Sequence, residues 1–263
     1  MITSTANKQV KYVSTLLKKG KARREERLFV AEGVRMCLEI PPERIQTLYI
    51  SDSFRKNPHY TELTKRVRQV EVLTDTVFAA LSDTRSPQGV MAVVKQRTYG
   101  LEEMIATGST GRLPLLMVLE QLQDPGNLGT ILRAGEGAGM TGILMDSGTA
   151  DIYNPKVVRS TMGSLLRVPF AYVEDLDATL TFLKKAEIRL FAAHLHGSTD
   201  YDREDYQKAT AFLIGNEGKG LSPEVVARAD ARICIPMLGK VESLNAAVAS
   251  SVLMYEAARQ RRG

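Results

Sequence analysis

Three short segments concentrate the side chains able to do chemistry. The first, Glu120-Gln121-Leu122-Gln123-Asp124-Pro125-Gly126-Asn127-Leu128-Gly129-Thr130-Ile131-Leu132-Arg133, sets a Pro-Gly turn after an apolar run. It then opens a helix for which Asn127 is a candidate cap. Asn127 and Arg133 stand six positions apart, about 1.7 helical turns, so spacing alone does not put them on one face. The second, Ile214-Gly215-Asn216-Glu217-Gly218-Lys219-Gly220-Leu221-Ser222-Pro223-Glu224, has glycines that let backbone amides close on a ligand. Ser222 and Pro223 mark the helix that follows it. The third runs from a strand end at Ile235-Pro236 through Met237, Leu238, Gly239 and Ser243 to Leu244 and Asn245. A helix then begins among small residues, Ala246, Ala247, Ala249, Ser250 and Ser251. Taken singly, each segment also has a plain reading: a helix cap, a surface ion pair, a tightly packed helix.

Several chemistries are disfavoured. The second segment spaces its glycines G-x-x-G-x-G, which is not the dinucleotide pattern, and no phosphate-loop G-K-[ST] or G-x-S-x-G elbow occurs. No His/Cys/Asp cluster has metal-ligand spacing, so no metal is expected. His194 and His196 alternate on a strand and read as packing residues. Cys37 and Cys234 lie far apart, which argues against a disulfide framework. No apolar run approaches the ~20 residues of a membrane span. The first twenty residues lack the apolar core of a secretion signal, so the expectation is a cytoplasmic chain with no membrane partner.

The elements that must position these segments follow from periodicity. Val10, Val13, Leu16 and Leu17 predict an amphipathic helix over about 6–19. Strands are expected at 28–31, 46–50, 70–73 and 89–94, and helices after Gly33, at 60–68 and at 76–81, which together make a small α/β sandwich. A polar Gly/Ser/Thr-rich stretch at 98–113 reads as a linker. Beyond Pro114 the apolar run 115–119 predicts a parallel strand buried on both faces. Alternating signals then continue to a last helix at 244–260, a doubly wound α/β domain. The expected division is therefore 1–97, linker 98–113 and 114–263, for a chain of 263 residues.

The net charge of +5 is unevenly placed. Residues 1–98 carry 18 basic and 10 acidic side chains, a net of +8, whereas 99–263 carry 17 and 20, a net of −3. Lys8, Lys11, Lys18, Lys19, Arg23 and Arg24 crowd the first helical region and suggest a polyanion-gripping module.

In this order and on strand ends, DPGNLGTILRAGEGAG, IGNEGKGLS and IPMLGKVESLNAAVASSVLMYEA resemble the SpoU (TrmH-like) family of RNA ribose 2′-O-methyltransferases in the SPOUT superfamily. The run 4–23, LFVAEG at 28–33 and SPQGVMAVV at 86–94 are similar to that family's N-terminal substrate-binding domain, itself akin to small ribosomal RNA-binding proteins. The resemblance implies a deep trefoil knot, a homodimer with the knot at its interface, and S-adenosylmethionine as cofactor. Its implied cofactor residues are Leu195, Gly197, Gly215, Asn216, Gly220, Ile235, Met237, Leu238, Ser243 and Leu244. Arg133 matches the catalytic arginine, with Asn127 to position the ribose, Glu217 to orient Arg133 or a partner-chain group, and Asn245 with Ser243 to order the loop. A guanidinium is no base at neutral pH, so its implied role is to orient the hydroxyl and stabilise the developing alkoxide. Ribosomal RNA of the 23S type is the implied substrate, gripped through phosphates by Lys8, Lys11, Lys18, Lys19, Arg23 and Arg24. The competing readings are a tRNA 2′-O-methyltransferase and a non-catalytic RNA-binding assembly factor of the same fold. One departure stands out: Gly135-Glu136-Gly137-Ala138-Gly139 replaces a bulkier Ala-Asp-Ala-Phe-Gly, which predicts a looser end to the first-segment helix.

Overall fold

The structure is a computed structural model that describes residues 1–106, 111–195 and 199–262. Two compact units appear, Met1–Arg97 with Asp151–Leu166, and Thr98–Ala150 with Arg167–Gly263.

The first unit contains α1 (Lys8–Lys18), α2 (Gly20–Glu26), β1 (Leu28–Glu32), α3 (Val34–Glu39), β2 (Ile45–Ser51), α4 (Tyr60–Lys65), β3 (Val70–Leu73), α5 (Asp75–Leu81) and β4 (Val90–Lys95). Its sheet runs β1-β4-β2-β3, antiparallel except for the β2–β3 pair. α1 forms because Val10, Val13 and Leu16 fall on one buried face, and because the Asn7 side chain caps it by accepting from the Gln9 N–H at 2.8 Å. That face packs with Leu28, Val30, Phe78, Met91 and Val93.

α2 is an element the periodicity does not reveal, since GKARREE has no apolar repeat. What holds it is Arg23, only 3 % exposed, whose Nη1 donates to the Leu16 and Leu17 carbonyls at the end of α1, at 2.6 and 3.1 Å. The same guanidinium pairs with Asp151 through Nε at 2.8 Å and Nη2 at 2.7 Å. The expectation of Arg23 as a phosphate ligand is therefore corrected: its donors are spent inside the protein, capping carbonyls a helix end leaves orphaned.

Asp151 belongs to the second surprise. Residues 151–166, including the helix Pro155–Ser160 (α8 in chain order), pack with the first unit although they lie within the expected 114–263 domain. Tyr153 stacks on Phe29 with ring centroids 4.7 Å apart, and its hydroxyl donates to the Arg97 carbonyl at 3.2 Å.

The second unit contains α6 (Leu101–Ile105), β5 (Leu115–Leu119), α7 (Pro125–Ala138), β6 (Gly142–Asp146), β7 (Phe170–Val173), α9 (Leu176–Lys185), β8 (Arg189–Ala193), β9 (Thr199–Asp200), β10 (Thr210–Ile214), α10 (Pro223–Arg228), β11 (Ala231–Cys234) and α11 (Ala246–Arg262). All its strand pairs are parallel, in the order β7-β6-β5-β10-β8-β11-β9. The central strands β5 and β10 are buried at every position, as continuous apolar runs covered on both faces must be. α7 continues unbroken through Gly135 and Gly137 to Ala138. A methyl on Gly135 would collide with Met140 Cε and stand 3.2 Å from Met254 Sδ, and one on Gly137 would meet the Tyr255 hydroxyl at 2.7 Å. The glycine-rich end thus reflects close packing against α11.

Candidate functional site

The loops leaving the carboxyl ends of β8, β10 and β11 enclose a cleft of about 390 Å3 within the second unit, the position where open parallel sheets bind ligands. The structure brings Leu195, Gly215, Asn216, Gly220, Ile235, Met237, Ser243 and Leu244 together as lining of this cleft. Leu238 does not join them: its side chain is fully exposed outside the lining. It stands on a stretch without regular structure between β11 and α11, where alternate side chains need not share a direction. Gly197 and His196 lie outside the described residues. Periodicity does not single out His194 or Cys234, which also line the cleft. His194 directly follows β8 and Cys234 ends β11, and that strand-end position is the available sequence signal.

The glycine loop is shaped by close approach. A Cβ on Gly215 would collide with the Gly220 carbonyl carbon and the Leu221 nitrogen, so only hydrogen fits. The Asn216 and Gly220 backbones close the turn with bonds of 3.1 and 2.9 Å. Asn216 Oδ1 accepts from the Gly218 and Lys219 amides at 3.0 and 3.1 Å, and its Nδ2 donates to the Gln121 carbonyl at 2.8 Å. Asn216 thus sets the loop's shape as well as lining the cleft.

One chain of side-chain hydrogen bonds ties the three segments together. Asn245 Nδ2 donates to Asn127 Oδ1 at 2.9 Å, and Asn127 Nδ2 donates to Glu217 Oε1 at 3.0 Å. The Glu217 carboxylate also accepts the Asp124 amide at 2.9 Å and the Gln123 amide at 3.1 Å. Partial burial pushes the Glu217 carboxyl up, but these donors outweigh it and hold it below the usual glutamate range. Asn245 Oδ1 accepts from Ala247 and Val248 at the start of α11. The cap of α7 is Asp124, not Asn127: Asp124 Oδ1 accepts the Asn127 amide at 2.9 Å, with Pro125 opening the helix. Freed from capping, the Asn127 amide relays between the other two segments.

Arg133 is exposed on α7 and has no ion pair or hydrogen bond among the described residues. Glu217 does not orient it within the chain, since the carboxylate is engaged by the 123–127 turn. Glu120 is a positioning residue that sequence reasoning missed. Only 8 % exposed, its carboxylate accepts the Ser222 amide at 2.8 Å and the Ser222 hydroxyl at 2.6 Å, clamping the far end of the glycine loop. A carboxylate directly abutting the buried run 115–119 is the signal that marks it.

The cleft suits the expected cofactor. Ile214, Leu195, Ile235, Leu244 and Ala249 give an apolar wall for a flat base, and backbone of the three loops supplies polar groups around it. Among the described residues no cluster of His, Cys, Asp or Glu could hold a metal, and no helix is long and apolar enough to cross a membrane. In the first unit Lys8, Lys11, Lys18, Lys19 and Arg24 are exposed, and no ion pair engages them among the described residues. Arg27 and Lys21 are exposed beside them, Lys21 pairing with Glu25 at 3.7 Å.

Among known proteins, residues 114–255 match the SpoU rRNA Methylase family and residues 7–92 match an MRM3-like substrate binding domain. The chain is 29 % identical to the 23S rRNA (guanosine(2553)-2′-O)-methyltransferase RlmP of Bacillus subtilis, over 97 % of each chain. It matches an AdoMet-bound rRNA methyltransferase from Sinorhizobium meliloti with a TM-score of 0.87 and 31 % identity, covering 98 % of this chain and 97 % of that one. AviRb of Streptomyces viridochromogenes in complex with AdoMet matches with a TM-score of 0.88 and 28 % identity, covering 98 % and 99 %.

Proposed function

This chain belongs to the SpoU rRNA methylase family of S-adenosylmethionine-dependent RNA 2′-O-methyltransferases, and we propose that it methylates a ribose 2′-hydroxyl in the large ribosomal RNA. The observation that carries this reading is the Asn245–Asn127–Glu217 chain, which ties the three segments together beside the cleft that Glu217 lines and leaves Arg133 free on the same helix as Asn127. Bound S-adenosylmethionine supplies an activated methyl group on a sulfonium. The protein's own task is to present the 2′-oxygen and to stabilise the charge that develops on it. Arg133 holds a permanent positive charge and hydrogen-bonds that oxygen. Asn127 keeps the ribose in place, and Glu217 fixes Asn127 and the turn before it. Ser243 and Asn245 order the loop entering α11.

Residues 1–97 act as the RNA-binding domain, with 151–166 packed on it, 98–113 as linker, and the remainder of 114–263 as the methyltransferase domain. Lys8, Lys11, Lys18, Lys19 and Arg24 engage phosphates. The segment from Ile235 into α11 closes a trefoil knot; in support, α11 returns to pack on α7 and β10. The chain works as a cytoplasmic homodimer, and the exposed Val248 and Tyr255 on one face of α11 supply apolar contact surface for it.

The test is transfer of labelled methyl to unmodified ribosomal RNA and to tRNA, with wild type and Arg133→Ala. The expected result is label in ribosomal RNA, reduced about 10²–10³-fold by the substitution with cofactor affinity retained. Label in tRNA alone overturns the substrate reading, and cofactor binding without transfer to either RNA supports a non-catalytic factor.

A further inference from the structure

The first unit contains a second cavity, of about 260 Å3, that no step of methyl transfer uses. Two stretches far apart in sequence build it: the start of α3 with Met36, and the end of α8 with Met162 and Gly163. Gln88 and Glu32 stand at its wall.

Met162 has φ +50° and is followed by Gly163 at +94°. A left-handed backbone is unfavourable for a long side chain, and such strain persists where the surroundings impose it. Its effect is to hold a large apolar side chain, 45 % exposed, in the wall of a cavity that the buried Met36 also lines. Two thioethers make a polarisable apolar surface that suits a flat ring. Gln88 Oε1 accepts the Val34 amide at 2.8 Å, which orients the carboxamide and leaves its NH2 donors unpartnered among the described residues. Glu32 Oε1 accepts the Ser82 and Thr84 hydroxyls at 2.5 and 3.0 Å, leaving Oε2 as an acceptor. An apolar lining from Met36 and Met162, with a donor on Gln88, an acceptor on Glu32 and the charged Arg35, Glu39 and Arg159 also in the wall, complements the face and edge of a nucleobase.

We propose that this cavity takes one unstacked base of the RNA substrate, so that the N-terminal unit recognises a splayed nucleotide in addition to gripping phosphates. This rests on the reading of that unit as RNA-binding. Proteins that recognise RNA in loops and bulges do so by stacking on unpaired bases and bonding their edges.

Met162→Gly separates this role from a structural one, because glycine relieves the left-handed strain while deleting the apolar wall. With unmodified 23S ribosomal RNA transcript as probe in filter binding, the variant is expected to lose about tenfold in RNA affinity. Its melting temperature should be equal or higher, its S-adenosylmethionine affinity unchanged, and the salt dependence of RNA binding unaltered, since no phosphate contact is lost. Met162→Leu should restore affinity and Gln88→Ala should lower it. Wild-type RNA affinity in Met162→Gly overturns the inference alone, as does a loss that tracks melting temperature and cofactor affinity. Failure of the wild-type protein to bind the transcript overturns the RNA-binding reading and this inference together.

Discussion

Glu217→Gln probes the relay between the loops with nearly no change of shape. The carboxylate accepts three N–H groups, from Gln123, Asp124 and Asn127. A carboxamide has one acceptor oxygen, so one N–H is left facing an NH2 group and the other two bonds lose their charge assistance. Bonds to charged groups contribute about 1.5–3 kcal/mol against about 0.5–1.5 for neutral ones, so exchanging three of the former for two of the latter puts the gross loss at about 3.5–6 kcal/mol. The site is solvent-exposed, and water replaces much of that, so the expected change in folding stability is only about 1–2 kcal/mol. Catalysis should suffer more, because Asn127 loses its partner and a misplacement near 1 Å costs about 10²-fold. The substitution should therefore lower kcat about 10²-fold in steady-state methyl transfer, with a small shift in chemical denaturation. There is a pH signature too. A carboxyl held below its ordinary range stabilises the fold above its unfolded value, and that contribution disappears as pH falls through the folded value. Wild type should lose stability in that acidic window, and Glu217→Gln should lose correspondingly less. Unchanged kcat, or an activity loss wholly matched by unfolding, would refute the relay.

The basic face separates into two kinds of residue. Arg23→Ala should destabilise the first unit by about 3–5 kcal/mol in urea unfolding, because it strands Asp151 and two helix-end carbonyls. Lys18→Ala should leave stability within about 0.5 kcal/mol. It should reduce the salt slope of RNA binding by about one. The cysteines offer a map of the cleft: burial pushes the Cys37 thiol up to about 12, so native alkylation should not touch it. Burial and then Asp200 raise the Cys234 thiol as well, making its alkylation slow, and S-adenosylmethionine should slow it further because Cys234 lines the cleft. Alkylation of Cys234 at a rate indifferent to the cofactor would place the cofactor elsewhere.

Much of the parallel sheet is legible in the sequence because its central strands hold continuous apolar runs, 115–119 and 211–214, as a doubly covered sheet requires. α1 is equally plain from its 10-13-16 spacing. What escapes is whatever depends on a partner distant in sequence. α2 has no periodicity because one buried arginine anchors it. Residues 151–166 carry a helix signal like their neighbours, and nothing local says that they pack with Phe29 and Arg23. At the site, Asn127 is a plausible cap by type, and only the Asp124–Pro125 start of α7 reveals that it is free for Glu217 and Asn245. Glu120 is marked only by abutting the apolar run 115–119, and its role stays hidden because its partner Ser222 lies 102 positions away.

Alkaline hydrolysis of the product distinguishes a methyl on the ribose oxygen from one on the base. Ribosomal RNA labelled by the protein from tritiated S-adenosylmethionine should, after alkali, carry its label in a dinucleotide, because a methylated 2′-oxygen cannot attack the adjacent phosphodiester. Label recovered wholly in mononucleotides would mean base methylation and contradict the account.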